Sequence, residues 1–152
     1  MANPFPFTAG QVLTAAQMNG IGENVSFTPS LAGITLGNGT VSATYTRANQ
    51  QIHLQVKVTL GSTSSVTGTM GVTLPVLGTT AEVDSAIGVA RIFDSGVGFF
   101  DGIVYMAATN TAYVTALNTA GTYSVSTFTS ATVPMTWAVN DRLAFSIEYT
   151  AA

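Results

Sequence analysis

The sequence predicts an all-β protein: an antiparallel, jelly-roll-like β-sandwich over residues 25–152, preceded by an extended N-terminal arm, residues 1–24, with one short helical turn. From residue 25 onward apolar and polar residues alternate with a period of two, and helical spacing nearly disappears. At least eight such short segments are separated by Gly, Asn, Pro and Ser, a pattern typical of antiparallel sandwiches. A length of 152 residues fits one domain.

The arm is apolar but irregular. Its "NPFPF" segment cannot enter a regular helix or a central strand, because its prolines lack an N–H. In "LTAAQMNGIGEN", Thr14 and Gln17 have the spacing of a capping box, which predicts one helical turn that stops at Gly20. The arm carries too many apolar side chains for a solvated tail, and we take these as attachment residues: Phe5, Phe7, Val12, Leu13, Met18 and Ile21. Two alternatives stay open: the arm packs on its own domain, or it docks on another subunit or a larger assembly.

The clearest strands lie early in the domain. "LGNGT" at 36–40 predicts a tight turn that needs a positive φ. After it, Val41, Ala43 and Tyr45 alternate with polar residues, and 52–60 alternate in the same way. These two segments should pair as a hairpin across residues 48–50.

The remaining elements follow from the same signals. "GSTSSVTGT" at 61–69 is expected to be a polar loop, and "GVTLPV" at 71–76 a short strand ended by Pro75. Further strands are expected at 86–93, 99–107, 111–117, 122–128, 132–138 and 142–149. The last strand should place four residues on one face: Leu143, Phe145, Ile147 and Tyr149.

Charge is scarce throughout the chain. Charged residues make up 7% of it and the net charge is −3, which argues against nucleic acid as a partner. No stretch of 18 apolar residues predicts membrane insertion, and the N-terminus does not resemble a signal peptide. Residues 102–140 contain no charged side chain, so their strand edges would invite aggregation if they stood free. We therefore expect a homo-oligomer whose copies cover these edges.

Residues suited to catalysis are equally scarce, and we expect neither an enzyme nor a metal or cofactor site. His53, the sole histidine, lies among the polar residues of a strand, and the chain contains no cysteine. Asp94 and Asp101 flank a Gly-rich turn, where aspartate usually bonds to local backbone. Glu82 and Asp84 are too few for a calcium cage.

Aromatic residues offer a binding alternative. Tyr105, Tyr113, Tyr123 and Trp137 are candidate stacking platforms for sugars, although Trp137 is more readily explained as a core residue beside the final hairpin. The hydroxyls of the 61–69 loop are candidate hydrogen-bonding groups for a glycan, with a solvated loop as the simpler interpretation.

The order of motifs resembles a known group of proteins. The stretch "SFTPSLAGITLGNGTVSATYTRANQQIHLQVKVTLGSTSSVTG", then "GVTLPV" and later "MTWAVNDRLAFSIEY", is similar to small β-domains of bacteriophage virions, the minor tail or tail-fibre-type proteins. "PFTAGQVLTAAQMNGIGE" also resembles their N-terminal attachment segments. The chain departs from long tail fibres in that it has no heptads and no collagen-like repeat.

The resemblance implies a structural virion protein on the exterior of the tail or capsid, often a homotrimer, with other virion proteins as partners and no catalytic residues. The expectation is a minor tail or fibre-like protein attached by its arm, with the loops at 61–69 and 94–101 available to the host surface and its glycans. The contact residues expected there are Ser62, Thr63, Ser64, Ser65, Asp94 and Asp101. The alternatives are a capsid decoration protein, a free carbohydrate-binding lectin and, least favoured, a glycan-degrading enzyme.

Overall fold

A computed structural model describes residues 8–152, so the attachment residues Phe5 and Phe7 lie outside the described part. The described chain is all-β apart from one α-helix, α1 (Ala15–Asn19), and a 3-10 turn at Thr80–Glu82. Its strands are β1 (Val25–Ser26), β2 (Leu31–Thr35), β3 (Thr40–Ala48), β4 (Gln51–Thr59), β5 (Ser65–Thr73), β6 (Ala86–Asp94), β7 (Gly98–Ala108), β8 (Thr111–Asn118), β9 (Val125–Phe128) and β10 (Arg142–Thr150).

The predicted first hairpin is confirmed. β3 and β4 pair along their whole length, from Thr40 opposite Thr59 to Ala48 opposite Gln51. Asn49 has a φ of 57°, the left-handed conformation that two-residue hairpin turns require and asparagine tolerates. The alternation of the sequence therefore sets the register of this pair.

All strands join one antiparallel sheet in the order β1-β3-β4-β10-β6-β7-β8-β5-β2, with β9 added beside β8. The sheet is curled, and the side chains of its inner face form a single core cluster. In β10, the four residues expected on one face are all buried in that cluster. The curl follows from the pattern: one apolar face across so many strands is removed from water only when the sheet folds over itself.

Three expectations about the strands need correction. The segment 132–138 is not a strand but a turn containing Pro134, and its groups bond locally: Trp137 Nε1 donates to Ser130 O at 2.9 Å. The polar loop is shorter than expected, since β5 begins at Ser65 and buries Val66. The expected strand at 122–128 is reduced to the exposed β9.

Candidate functional site

Residues 8–24 of the arm leave their apolar side chains in solvent. This described part of the arm includes no buried residue. Val12 is 86% exposed and Met18 54%, and Leu13 and Ile21 are also exposed. Because residues 8–24 of the arm contribute no side chain to the domain core, their apolar groups are available to another surface.

The predicted capping box shapes the arm. Gln17 N donates to Thr14 Oγ1 at 3.2 Å, and Thr14 N donates to Gln17 Oε1 at 3.0 Å. α1 ends at Gly20, as expected. Local hydrogen bonds thus hold one turn of helix in which no residue is buried.

The expected contact loop at 61–69 is largely occupied by internal bonding. Asn38 Nδ2 donates to Ser62 Oγ at 2.9 Å, and Thr63 N donates to Asn38 Oδ1 at 2.9 Å. Ser64 Oγ accepts from Gly61 N at 2.8 Å and donates to Leu36 O. The hydroxyls expected to meet a glycan instead join this loop to the turn before β3. Ser65 lies in β5, outside the loop.

That contact also explains the "LGNGT" turn. Gly37 has a φ of 56°, which confirms the expected positive φ, and a Cβ there would collide with Thr63. The glycine is needed for the turn conformation and for the close approach of the two loops.

Asp94 and Asp101 do not form a pair of catalytic acids. Asp94 is the last residue of β6, and Asp101 lies within β7, opposite Arg91. They fall on opposite faces of the sheet, because three ladder positions separate them. Asp101 instead lies 3.7 Å from Arg91 in an exposed ion pair. Only the short turn between β6 and β7 remains of the loop expected at 94–101.

Two other ionisable candidates, His53 and Glu82, also have structural partners. His53 Nδ1 lies 3.3 Å from Glu148 Oε1 across the β4–β10 pair. Glu82 Oε2 accepts from Thr150 N at 2.9 Å. In residues 8–152 no three His, Asp or Glu side chains come together as metal ligands would.

Two of the predicted sugar platforms come together, and a third ring joins them. The ring centroids of Tyr105 and Tyr113 lie 6.2 Å apart, and that of Phe128 lies 5.9 Å from Tyr105. Sequence reasoning missed Phe128, because only the pairing of β9 with β8 brings it beside the tyrosines. Tyr123 is exposed elsewhere, and Trp137 packs against the core as expected.

The three rings line a cleft of about 340 Å³ together with Ala32, Gly33, Gly68 and Thr69. Burial raises the pKa of Tyr105, and neighbouring Tyr113 and Asp84 raise it further, so its hydroxyl is protonated at neutral pH. We call this site the aromatic cleft.

A second depression, of about 820 Å³, lies on the outer face of strands β3, β4, β10, β6 and β7. Short side chains such as Thr44, Ala144 and Ser146 line it, and Lys57 and Arg91 lie on the two strands that flank Ala144, directly opposite that residue. The outer face of the sheet is thus indented and weakly charged.

Comparison of the chain with known protein families, with curated proteins and with solved structures finds no match in any of the three. Among residues 8–152, the structure contains no helix of the length and apolar character needed to cross a membrane.

Proposed function

We propose that this chain is a non-catalytic structural component of a bacteriophage virion: a minor tail or fibre-like protein held by its arm and displaying its β-domain outward. The observation that carries the proposal is the exposed apolar arm. A segment with four solvent-facing apolar attachment residues gains free energy only when another surface covers it. The resemblance of "PFTAGQVLTAAQMNGIGE" to virion attachment segments supports a virion as that surface.

An exposed apolar surface also supports a homo-oligomer, and the resemblance to virion proteins favours a trimer. β9 forms a sheet edge with the sequence "VSTF", in which all four residues are exposed and none is charged or proline. Exposed strand edges in soluble proteins are usually protected by charge, proline or a covering segment. We propose that a neighbouring copy pairs with the backbone edge of β9 and leaves the face that carries Phe128 open.

We propose that the curled sheet forms the two layers of a jelly-roll-like sandwich. The support is that residues of β4 and β10 share one core cluster with residues of β5 and β8, at the other end of the strand order. Two packed layers are the usual way for a long sheet to achieve this.

The attachment role is tested with two variants of four substitutions each. One replaces the described attachment residues by serine: Val12, Leu13, Met18 and Ile21. The control replaces four exposed apolar residues of the domain by serine: Leu77, Val89, Val97 and Val139. Copies per purified virion are counted by quantitative mass spectrometry. The arm variant should fall by roughly tenfold or more, because four apolar contacts are lost, and the control should not.

Equal incorporation of the two variants, or absence of the wild-type chain from virions, would contradict the proposal. The count also separates the tail from the shell: tens of copies favour the tail, and hundreds favour a capsid decoration protein, the second candidate. Native mass spectrometry of the purified chain tests the trimer.

A further inference from the structure

We propose that the aromatic cleft is a binding subsite for a neutral oligosaccharide, which stacks a sugar ring on Tyr105, Tyr113 and Phe128. The proposal deepens the proposed function by naming a ligand class for the displayed domain, and it rests on that function for the display of this face.

The arrangement of the three rings suits a sugar. They are tilted rather than stacked on one another, with 32° between Tyr105 and Tyr113 and 51° between Tyr105 and Phe128. Phe128 is 57% exposed, and the two tyrosines are half-buried. A pyranose has an apolar C–H face that packs on such rings, while tyrosine hydroxyls remain free to bond its rim.

Beside the rings, the pairing of β2 with β5 is broken. Ala32 of β2 pairs with Gly71 of β5, but the next pair is Ile34 with Val66. Gly33 alone therefore faces four residues of β5, 67–70, which have no ladder partner in β2. Bulges of this kind bring backbone polar groups out of the ladder and often lie next to binding sites. Met70 N donates to Thr129 Oγ1, so the sugar hydroxyls would meet the backbone groups of residues 67–69 and the side chain of Thr69.

The glycines keep the cleft open. Gly33 has a φ of 68°, and a Cβ there would collide with the backbone carbonyls of Gly68 and Thr69. Gly68 lies in the wall without a side chain, and a Cβ on it would meet only Gly33 Cα, at 3.8 Å. A substitution at Gly68 can therefore fill the cleft without a collision in the fold.

Charge and size favour a neutral sugar over other ligands. The residues lining the cleft include no Asp, Glu, Lys, Arg or His, so a phosphate or carboxylate would find no counter-charge. The volume of about 340 Å³ is at the lower end of the range for small-molecule sites, which suits one or two sugar rings. A proline-rich peptide, such as the "NPFPF" segment of another copy, is the competing occupant of an aromatic groove.

The test is a nuclear magnetic resonance titration of the isotope-labelled full chain. The neutral probes are maltohexaose, cellohexaose and mannohexaose; hexagalacturonate is the acidic probe, and a peptide of residues 2–7 is the proline-rich probe. We expect saturable shifts with at least one neutral probe, centred on β7, β8 and residues 67–70. Phe128→Ala removes a central aromatic anchor, and Gly68→Ala adds a methyl group to the wall of the cleft. Each should raise the dissociation constant about tenfold.

The matched control is Phe99→Ala. Phe99 is 59% exposed and lies six residues from Tyr105 along β7, about 20 Å away in a strand. This variant should leave the dissociation constant unchanged. The proposal is overturned if no neutral probe binds, if only the acidic or peptide probe binds, or if Phe99→Ala weakens binding as much as Phe128→Ala. Because the titration uses the purified chain, its failure is distinct from a failure of the arm to attach.

Discussion

In β4, Ile52, Leu54, Val56 and Val58 are at most 3% exposed, whereas Val12 and Met18 of the arm are 86% and 54% exposed. The side chains are chemically alike, and what differs is the partner. In β4 the period of two aims every second residue at one shared core, to which residues 8–24 of the arm contribute no side chain. Apolar residues in this protein thus serve folding in one region and are free for association in the other.

The two regions should differ most in how much a truncated apolar side chain lowers the free energy of unfolding, and the larger loss is expected in β4. Leu54→Ala removes a fully buried side chain and should lower the free energy of unfolding by about 2–5 kcal/mol. Met18→Ala, the matched change in the arm, should alter it by less than about 0.5 kcal/mol. Urea denaturation of both variants measures the difference. Comparable losses would show that the arm belongs to the cooperative unit of the domain.

Burial of Tyr149 in the core should make the free energy of unfolding depend on pH. Burial raises the pKa of Tyr149 to about 12, above its ordinary value of 10.0. A raised pKa means that the folded state holds the proton more tightly, so this stabilisation is complete below pH 10 and is lost between pH 10 and 12. The loss should be on the order of 2 kcal/mol by pH 12, since each pKa unit corresponds to about 1.4 kcal/mol.

The control for this loss is Tyr149→Phe. The variant lacks the hydroxyl that donates to Val76 O at 2.9 Å, so it should be about 1 kcal/mol less stable at pH 7. Its unfolding free energy should also fall less steeply between pH 10 and 12, as measured by urea denaturation across that range. Parallel pH profiles for the two proteins would mean that Tyr149 does not titrate in this window.

The sequence predicts those parts of the fold that depend on residues close together in the chain. The β3–β4 hairpin follows from alternation and one turn, and the capping box of α1 follows from the spacing of Thr14 and Gln17. The prediction of a strand at 132–138 was wrong. The alternating residues there resemble a strand, but Pro134 and the local bonds of the turn decide the conformation.

The sites depend on contacts between distant segments, which alternation does not encode. The hydroxyls at 62–64 looked free in the sequence, yet Asn38, more than twenty positions away, engages two of them. Phe128 joins Tyr105 only because β9 adds to β8. The glycines pointed to part of the cleft. Gly33 and Gly68 indicate that backbones approach closely, but the sequence does not say which strands do so.

The smallest expected effect concerns α1, the most local element of the arm. Thr14→Ala removes the side chain that accepts from Gln17 N, and an uncapped helix of five residues is too short to persist in water. We expect the helical Cα chemical shifts of Ala15–Asn19 to move toward random-coil values in nuclear magnetic resonance spectra. Gln17→Ala, which removes the other half of the box, should act in the same direction.

The urea midpoint of the domain should stay unchanged in both variants, because no residue of α1 is buried. A shifted midpoint would place α1 within the folding unit and weaken the case for an arm free to dock elsewhere. Loss of the helical shifts with an unchanged midpoint would instead show that the arm orders itself through Thr14 and Gln17 alone. An arm of that kind keeps its apolar side chains available for a partner while the β-sheet domain folds independently.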